Sequence, residues 1–596
     1  MRLVCNGLFV ACVLTLGAAY SQLQYNPGQW AGPYQLPIGA GMTTPTFEIA
    51  HIAVLPPPHG LGYDRVLFGV VPGGTCAGIV PPFELDKYGR TYLWHPRVPT
   101  NVTLIDTPYP QGGPADATQD FFCGGHTFLP DGDLLWVGGT DPVTSCESGT
   151  LAFAGHAATW RLDIEDELLD WVSAGDMFQP RWYPTATLLL DGKVMVTGHD
   201  NQPNENADRE RDIYEIATNT WLQGTAPSGA WPNLIPDPQC LETNDIELQD
   251  YPRLHVLESG WVIQTNATVG PAHHPTNMPT RFMDLSSSCS NPRWEDAAIT
   301  STQRLNGSSV HLVAWTPGLN GDFTEVIYLV GGAEEALELE SDCAAAPPGD
   351  YFATTEKMVE PAVGAVWSAG PTLNLSRVQH NTVILLDGSL LTVGGQAVDT
   401  VGTCEARRIP ERYRTFEVFD NPSAGWAPMA AQAVDRRYHS VAALLPDGRV
   451  VSAGGQATAA SSASEHSVEI YSPPYFFKGP RPVIDETALN EPHFDPYLYG
   501  GSLTFRVDLG NIQKQIDRVA LLRNGTATHA FDMSQRYVEL EIVNLQQDPE
   551  ALESWDVTVN IPPLQDQGRL PEGFYMLTVV DTDNVPSEAS WIRVES

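Results

Sequence analysis

Residues 380 to 395 read His380-Asn-Thr-Val-Ile-Leu-Leu-Asp-Gly-Ser-Leu-Leu-Thr-Val-Gly-Gly395. The stretch has a polar start, an apolar run, an Asp-Gly pair, a second apolar run and a closing Gly-Gly pair. Asp-Gly between two apolar runs is the strongest short-range signal for a β-hairpin, because both residues tolerate the backbone conformation of a tight turn. The stretch therefore predicts two antiparallel strands joined at Asp387-Gly388.

The same pattern recurs along the chain. Clear copies occupy residues 126–139, 183–198 and 439–455, and weaker copies occupy residues 51–71, 254–266 and 310–332. The glycine ends are roughly sixty residues apart, more than the ~50 residues of kelch repeats, which leaves room for long loops. One hairpin cannot bury both of its faces, whereas seven blades around an axis bury them all. The repeats predict an all-β fold whose residues 22–477 form a seven-bladed kelch-type β-propeller.

A second domain is predicted after the repeats. The proline-rich stretch that begins Tyr471-Ser-Pro-Pro-Tyr475 marks the boundary. Beyond it, strand-like runs occupy residues 502–507, 518–522, 529–531, 537–543, 555–561, 573–580 and 589–594. Their number and spacing are typical of a small antiparallel sandwich. Residues 478–596 are therefore expected to form an immunoglobulin-like β-sandwich.

Composition and the N-terminal segment limit the class of protein. The chain carries 32 Lys and Arg against 72 Asp and Glu, a formal net charge of −40, which excludes nucleic-acid binding through a basic surface. The apolar run at residues 8–19, followed by Ala19-Tyr20-Ser21, predicts a signal peptide over residues 1–21. The run is too short to cross a membrane. We expect a secreted, extracellular monomer with no membrane partner.

Cysteines and glycosylation triplets agree with secretion. Two of the nine cysteines leave with the signal peptide, and the mature chain keeps Cys76, Cys123, Cys146, Cys240, Cys289, Cys343 and Cys404. Six can form disulfides. Nearest-neighbour pairing gives Cys240–Cys289, Cys343–Cys404 and Cys76–Cys146 and leaves Cys123 over, although spacing alone does not decide connectivity. Asn-x-Ser/Thr triplets at Asn101, Asn266, Asn306, Asn374 and Asn524 indicate a glycoprotein.

Differences between the copies suggest a site. Three copies begin with arginine, as Arg181-Trp-Tyr183-Pro, Arg377-Val-Gln379-His and Arg437-Tyr438-His439-Ser. The repeat tolerates Gln379 where the other two copies carry a phenol, so the fold does not require the phenols. Tyr183 precedes Asp191 by eight residues, and Cys123 occupies the matching place one copy earlier if one residue is skipped at Pro130. This spacing allows the two side chains to meet.

Each candidate residue has an ordinary explanation when it is taken alone. Tyr438 and His439 fit packing at the start of a kelch strand, Cys123 fits a buried thiol or half of a disulfide, and His529 fits a hydrogen-bonded histidine on a strand. Together, however, they provide two phenols, two imidazoles and one thiol. Imidazole and phenolate suit copper(II) in tetragonal N,O surroundings. Zinc fits less well, because paired cysteines and a His-Glu-x-x-His motif are absent.

These residues resemble those of the copper radical oxidase family, which includes galactose oxidase and, more similar to this sequence, glyoxal oxidase. The matches, in chain order, are Phe121-Phe-Cys123-Gly-Gly, Arg181-Trp-Tyr183-Pro, Arg437-Tyr438-His439-Ser, Tyr471-Ser-Pro-Pro-Tyr475 and Thr528-His529-Ala-Phe-Asp-Met-Ser-Gln-Arg536. They extend over nearly the whole mature chain. Five separated matches in the same order make the resemblance specific.

The resemblance implies a site. Cys123 and Tyr183 would be joined by a thioether bond, and the modified phenol would hold a radical that supplies the second electron of a two-electron oxidation. One copper ion would be bound by Tyr183, Tyr438, His439 and His529. Tyr438 would be the weak axial ligand and the acceptor of the substrate proton. The C-terminal domain would deliver His529 to the propeller axis.

The resemblance also implies a reaction. A small aldehyde such as glyoxal or methylglyoxal would be oxidised as its hydrate to a carboxylic acid, and O2 would be reduced to hydrogen peroxide. The tryptophan that shields the thioether in galactose oxidase is missing from the corresponding stretch at residues 198–201, and Trp182 is the candidate replacement. This departure favours glyoxal oxidase over galactose oxidase. A primary alcohol or galactose-type oxidase and a non-catalytic secreted kelch binding module are the alternatives.

Overall fold

The computed structural model describes residues 26–36, 47–58, 65–72, 90–105, 121–141, 154–165, 169–198, 211–223, 250–266, 280–283, 294–296, 304–315, 323–333, 351–398, 404–415, 425–458 and 461–596. The predicted signal peptide lies outside these residues. Each predicted disulfide has at least one cysteine outside them as well. No helix in the described ranges is long and apolar enough to span a membrane.

The described chain is all-β, apart from four short 3-10 turns at Ile216–Thr218, Pro474–Phe477, Glu486–Ala488 and Leu564–Asp566. Strand β1 (Gln29–Gln35) comes first. Group 1 is β2 (Phe47–Leu55), β3 (Arg65–Pro72), β4 (Arg90–Trp94) and β5 (Val102–Ile105). Group 2 is β6 (Gly125–Phe128), β7 (Leu134–Val137), β8 (Thr140–Asp141), β9 (Ala154–Leu162) and β10 (Trp171–Arg181). Group 3 is β11 (Thr185–Leu188), β12 (Val194–Thr197), β13 (Asp212–Glu215) and β14 (Thr220–Gln223).

Four further groups follow along the chain. Group 4 is β15 (Leu254–Val256), β16 (Val262–Gln264), β17 (Arg281–Met283) and β18 (Trp294–Asp296), and group 5 is β19 (Ser308–Trp315), β20 (Phe323–Val330), β21 (Thr355–Val359) and β22 (Ser368–Ala369). Group 6 is β23 (Asn381–Ile384), β24 (Leu390–Val393), β25 (Gln396–Val398), β26 (Cys404–Ala406), β27 (Glu411–Tyr413) and β28 (Ala427–Pro428). Group 7 is β29 (Val441–Leu444), β30 (Val450–Ala453), β31 (Gln456–Thr458), β32 (Ser461–Ser464) and β33 (Ser467–Ser472).

Within the described residues, each of the seven groups has four antiparallel main strands, and in groups 1 to 6 these follow sequence order. In group 2 the short strand β8 pairs with β9, and groups 6 and 7 each include a separate short pair, β25 with β26 and β31 with β32. The fourth main strand of group 7 is β1, which pairs with β33. The first strands of several neighbouring groups contact one another: β6 with β11, β11 with β15, β19 with β23, and β23 with β29. Strand β29 also contacts β2, so the last group meets the first. The hairpins predicted from Asp-Gly are therefore present as the first two strands of groups 2, 3, 6 and 7.

Buried arginines precede the first strand of four of these groups, and each connects later strands or loops of the same group. Each donates a hydrogen bond to a glycine carbonyl and pairs with a carboxylate: Arg181 with Gly198 and Asp212, Arg304 with Gly331 and Glu356, Arg377 with Gly394 and Glu411, and Arg436 with Gly454 and Glu469. The sequence alignment assigned this place to Arg437, which was wrong. The Arg436 carbonyl accepts the Gly395 amide as the Arg377 carbonyl accepts the Gly332 amide, and Arg437 instead contacts Asp435.

The residues that start the inner strands share an unusual backbone. In five groups the turn leucine is Leu129, Leu189, Leu257, Leu385 or Leu445, and the residue six places earlier is Cys123, Tyr183, Tyr251, Gln379 or His439. We call these five the pivot residues. All have a left-handed backbone, with φ of 61°, 56°, 42°, 54° and 68°. Non-glycine residues rarely adopt this conformation, which costs of order 1–2 kcal/mol. Cys123 therefore matches Tyr183 directly, and no residue is skipped at Pro130.

The C-terminal region contains β34 (Val483–Ile484), β35 (Tyr497–Leu498), β36 (Ser502–Asp508), β37 (Ile516–Arg523), β38 (Thr526–Thr528), β39 (Phe531–Asp532), β40 (Arg536–Leu540), β41 (Ile542–Gln547), β42 (Ser554–Asn560), β43 (Gly573–Asp581) and β44 (Ser590–Glu595). One sheet has the order β34-β36-β42-β41, and the other runs β40-β37-β43-β44-β35. Aliphatic side chains from both sheets, among them Val507 and Val519, share one buried core.

The C-terminal region joins the repeats at two sheet edges. Strand β40 pairs in parallel with β19 of group 5, and β38 pairs antiparallel with β2 of group 1. One strand prediction was wrong here. Residues 529–531 were expected to be a strand, but His529 and Ala530 form the turn between β38 and β39, both with positive φ. This turn holds His529 at the end of a hairpin that lies against group 1.

The predicted glycosylation triplets differ in the burial of their asparagines. Asn266, Asn306 and Asn524 are buried, and the Asn524 amide donates to the Val54 carbonyl at 2.7 Å. A folded chain cannot present these three amides to solvent. Asn101 and Asn374 are exposed, but the Asn374 amide donates to a Glu411 carboxylate oxygen and to the Trp426 carbonyl.

Candidate metal centre

Four of the predicted site residues meet in one buried cluster. Cys123, Tyr183 and Tyr438 pack together with Trp182. The hydroxyls of Tyr183 and Tyr438 lie 2.5 Å apart. The backbone fixes the first contact, because the Tyr183 amide donates to the Cys123 carbonyl at 3.0 Å. Two neighbouring pivot residues are thus held side by side before any side-chain chemistry occurs.

The two predicted histidines complete the cluster. The rings of His439 and His529 lie 4.6 Å apart at 79°, and the His529 ring is 4.8 Å from that of Tyr183. Nδ1 of His439 is 3.1 Å from a carboxylate oxygen of Glu48, and Nδ1 of His529 is 2.6 Å from the Thr528 hydroxyl. The Nε2 atoms of both rings are buried and have no hydrogen-bond partner.

Buried polar atoms are normally hydrogen-bonded, so two orphaned imidazole nitrogens in one cluster need an explanation. Ligand histidines usually use one ring nitrogen for the metal and the other for a polar partner, which is the pattern of His439 and His529. In the described residues, no group of three or more His, Cys, Asp and Glu side chains is arranged to hold a metal. A metal here needs phenol oxygens as well, and two imidazoles with two phenols are a donor set that suits copper.

Electrostatics agree with a site made for a cation. Burial, followed by the neighbouring Cys123 and Tyr438, raises the pKa of Tyr183 well above its usual value. Burial, followed by His439, lowers the pKa of His529 well below its usual value. Without a metal, burial therefore favours the neutral phenol of Tyr183 and the neutral imidazole of His529. A divalent cation favours the phenolate form and offsets the cost of burying it.

The comparisons with known proteins follow this geometry. Residues 481–594 match the family model "Galactose oxidase-like, Early set domain". An aldehyde oxidase GLOX of Vitis pseudoreticulata is 26% identical over 81% of this chain and 83% of its own length. A galactose oxidase of Gibberella zeae is 23% identical over 97% of this chain and 72% of its own length. The chain is therefore similar to an aldehyde oxidase and a galactose oxidase over most of its length.

A solved structure of a fungal alcohol oxidase of the AA5 family, in complex with copper, has the same overall fold. It superposes with a TM-score of 0.65 at 19% identity, over 96% of this chain and 100% of that protein. The likeness extends through both the repeats and the C-terminal region. The arrangement of groups 1 to 7 against the C-terminal sheets is therefore one that this alcohol oxidase shares.

Trp182 lies against the ring of Tyr183. Its ring stacks on that of Tyr183 with centroids 4.0 Å apart and planes at 25°. The sequence placed it beside Tyr183 but could not choose between shielding and packing. The stacked geometry covers one face of the phenol. The six predicted residues, Cys123, Trp182, Tyr183, Tyr438, His439 and His529, are all brought together by the fold.

Tyr251 is a site residue that the sequence reasoning missed. It is fully buried, its ring lies 4.8 Å from both Tyr183 and His529, and its hydroxyl donates to the Gly124 carbonyl at 2.9 Å. Its amide donates to the Tyr183 carbonyl at 2.7 Å. The signal was available, because Tyr251 precedes the turn residue Leu257 by the same six places as Tyr183 precedes Leu189. Group 4 was recognised only as a weaker copy that begins at residue 254, because its turn is Ser-Gly, so Tyr251 was not compared with Tyr183.

Proposed function

We propose that the chain is a secreted copper radical oxidase that converts small aldehydes, as their hydrates, into carboxylic acids and reduces O2 to hydrogen peroxide. The observation that carries the proposal is the buried cluster in which two orphaned Nε2 atoms lie beside two phenol oxygens and a thiol. A protein that only binds a partner has no need of such a cluster. The aldehyde oxidase among the relatives favours an aldehyde substrate.

Tyr183, Tyr438, His439 and His529 would hold one copper ion. When bound, copper supplies an electron acceptor that takes one electron and a Lewis acid for the substrate oxygen. Cys123 and Tyr183 would supply the second redox unit after their side chains are linked. That linkage replaces one S–H and one ring C–H bond by an S–C bond, and releases two protons and two electrons to O2.

The other residues have distinct tasks in this scheme. Tyr438 would accept the hydroxyl proton of the substrate, since its oxygen lies within hydrogen-bond distance of that of Tyr183. The oxidised Tyr183 would take a hydrogen atom from the substrate carbon. Trp182, stacked on that ring, would keep water from one face. The hydrate loses two protons and two electrons to become the acid, and O2 takes both to become hydrogen peroxide.

A primary alcohol is the second candidate substrate. It would lose the same two protons and two electrons and leave as an aldehyde, so the cluster does not discriminate between the two. The galactose oxidase relative, aligned over 97% of the chain, favours this candidate. Oxygen uptake with glyoxal, methylglyoxal, glycerol and galactose separates them. The aldehyde proposal requires faster uptake with the first two compounds.

We also propose an architecture of two domains. The seven groups of residues 22–477 would be blades of one closed propeller, with β1 completing the last blade, and residues 478–596 would be a separate sandwich domain. The pairing of β1 with β33 and the contact of β29 with β2 support ring closure. A crystal structure of the mature protein, beginning near residue 22, would test ring closure, the domain boundary and the processing of the signal peptide together.

The chemical test uses copper-loaded full-length protein. Peptide mass analysis after reduction should find the Cys123 and Tyr183 peptides joined and two hydrogens lighter than their sum. Finding them separate in protein that has bound copper would contradict the radical proposal and leave a non-catalytic kelch module. Protein that binds no copper would contradict the metal centre itself.

A further inference from the structure

Strand β2 contributes none of the six predicted site residues. It nevertheless carries the hydrogen-bond partner of one imidazole and contacts the partner of the other. Glu48 lies on β2, is buried, and places a carboxylate oxygen 3.1 Å from Nδ1 of His439. A carboxylate has no proton to donate, so the ring N–H must donate to it. His439 is therefore held with Nδ1 protonated and with its lone pair on Nε2.

The second contact depends on a bulge in β2. In the pairing of β2 with β3, Ile49 faces Val70 and the next paired residue, His51, faces Gly69, so Ala50 has no counterpart. Bulges of this kind turn a backbone group out of the ladder and are frequent beside functional sites. The Ala50 carbonyl accepts the Thr528 hydroxyl at 2.8 Å.

This bond decides the proton position on His529. A threonine hydroxyl has one hydrogen, and Thr528 gives it to the Ala50 carbonyl. The 2.6 Å contact between the Thr528 oxygen and Nδ1 of His529 must then be a bond that the ring N–H donates. His529 therefore carries its hydrogen on Nδ1, as His439 does, and has its lone pair on the orphaned Nε2.

We propose that β2 is the positioning strand of the metal centre. Glu48 orients His439 directly, and the Ala50 carbonyl orients His529 through Thr528. Both imidazoles then present Nε2 to the same ion without a search among tautomers or ring orientations. The inference rests on the proposed copper centre and adds two positioning residues to it. Loss of such a partner typically weakens metal affinity about 10–100-fold.

The test measures copper(II) affinity of metal-free full-length protein by competition against a chelator, with copper alone as the probe. Thr528→Val keeps the shape but removes the acceptor, and we expect affinity to fall about 10–100-fold. Thr528→Ser restores the hydroxyl and should restore affinity. Glu48→Leu should weaken binding to the same extent, whereas Glu48→Gln keeps an oxygen acceptor and should bind nearly as the parent does.

Thr197→Val is the matched control, because Thr197 is equally buried and its hydroxyl has no partner. Melting temperatures of the metal-free variants show whether each one folds, and nitrogen hyperfine splitting in the copper EPR spectrum shows whether both rings still bind. The Glu48 pair tests the inference if a Thr528 variant does not fold.

Equal copper affinity of Thr528→Val, Glu48→Leu and the parent would overturn the inference and leave the copper centre standing. Equal loss in Thr528→Val and Thr528→Ser would also overturn it, because packing rather than the hydrogen bond would then matter. A parent protein that binds no copper would overturn the proposed function as well.

Discussion

Groups 3 and 6 begin with the same scaffold and differ in chemistry. Arg181 and Arg377 are both buried, and each pairs with a carboxylate and a glycine carbonyl. Two residues later, Tyr183 and Gln379 share a left-handed backbone. Tyr183 meets a second phenol and an imidazole, whereas Gln379 accepts a hydrogen bond from the Gln396 amide at 2.8 Å. The strained position is a property of the repeat, and its use as a site depends on the side chain.

The largest effect on activity should come from removing the phenol oxygen that distinguishes group 3 from group 6. Tyr183→Phe removes the phenol oxygen, so we expect oxygen uptake to fall to background while the fold is kept. Gln379→Asn changes the equivalent residue of group 6 and should leave turnover nearly unchanged. Oxygen-electrode assays of both copper-loaded variants make the comparison. Comparable losses in the two variants would show that pivot geometry, rather than the phenol, limits activity.

Removing the buried arginine should lower the free energy of unfolding by the same amount in both groups. Arg181→Leu leaves Asp212 buried without its cation, and Arg377→Leu does the same to Glu411. Breaking a buried pair from one side costs about 3–5 kcal/mol. Denaturant unfolding should show losses of this size for both. Arg408→Leu is the control, because the Arg408 side chain is exposed and its ion pair with Asp435 should be worth about 1 kcal/mol or less. Unequal losses at Arg181 and Arg377 would mean that the two groups are not equivalent scaffolds.

A third buried acid, Glu325, differs from Glu411 in its partner and should make stability depend on pH. Glu411 meets a guanidinium, whereas Glu325 meets Nε2 of His311 at 2.6 Å, and burial raises the pKa of Glu325 to about 7. Between its unfolded value near 4.5 and about 7, the folded state keeps a proton that the unfolded state loses. Stability from this group therefore falls as pH rises through that window. Glu325→Gln should remove this decline in a series of melting temperatures, and parallel curves for parent and variant would refute it.

The smallest effect should come from the neighbour of the pivot residue. Trp182 stacks on Tyr183, whereas group 6 has Val378 at that place. Trp182→Leu removes an aromatic contact worth about 0.5–1.5 kcal/mol. If the stack protects the oxidised phenol, its optical or EPR signal should decay roughly 2–10-fold faster. An unchanged decay rate would assign Trp182 to packing alone.

The Asp-Gly hairpins were predictable because their signal is local. The seven repeats and most C-terminal strands are visible in the sequence for the same reason, since strand period and turn residues act over a few positions. Failures arose where a contact is not local. Adjacent Arg436 and Arg437 look alike, and only the packed core selects the first. His529 was placed on a strand, because nothing in its own segment shows that β38 and β39 turn there.

The sequence by itself determined which side chains are available: one thiol, two phenols and two imidazoles, along with the repeats that carry all of them except His529. Their meeting was decided by tertiary structure, because Cys123 and His529 are separated by four hundred residues of chain and only sheet packing brings them together. The same holds for Tyr251, Glu48 and Thr528, whose importance comes from spatial neighbours. A residue's chemistry is written in its side chain, but its burial and hydrogen-bond partners are set by the whole fold.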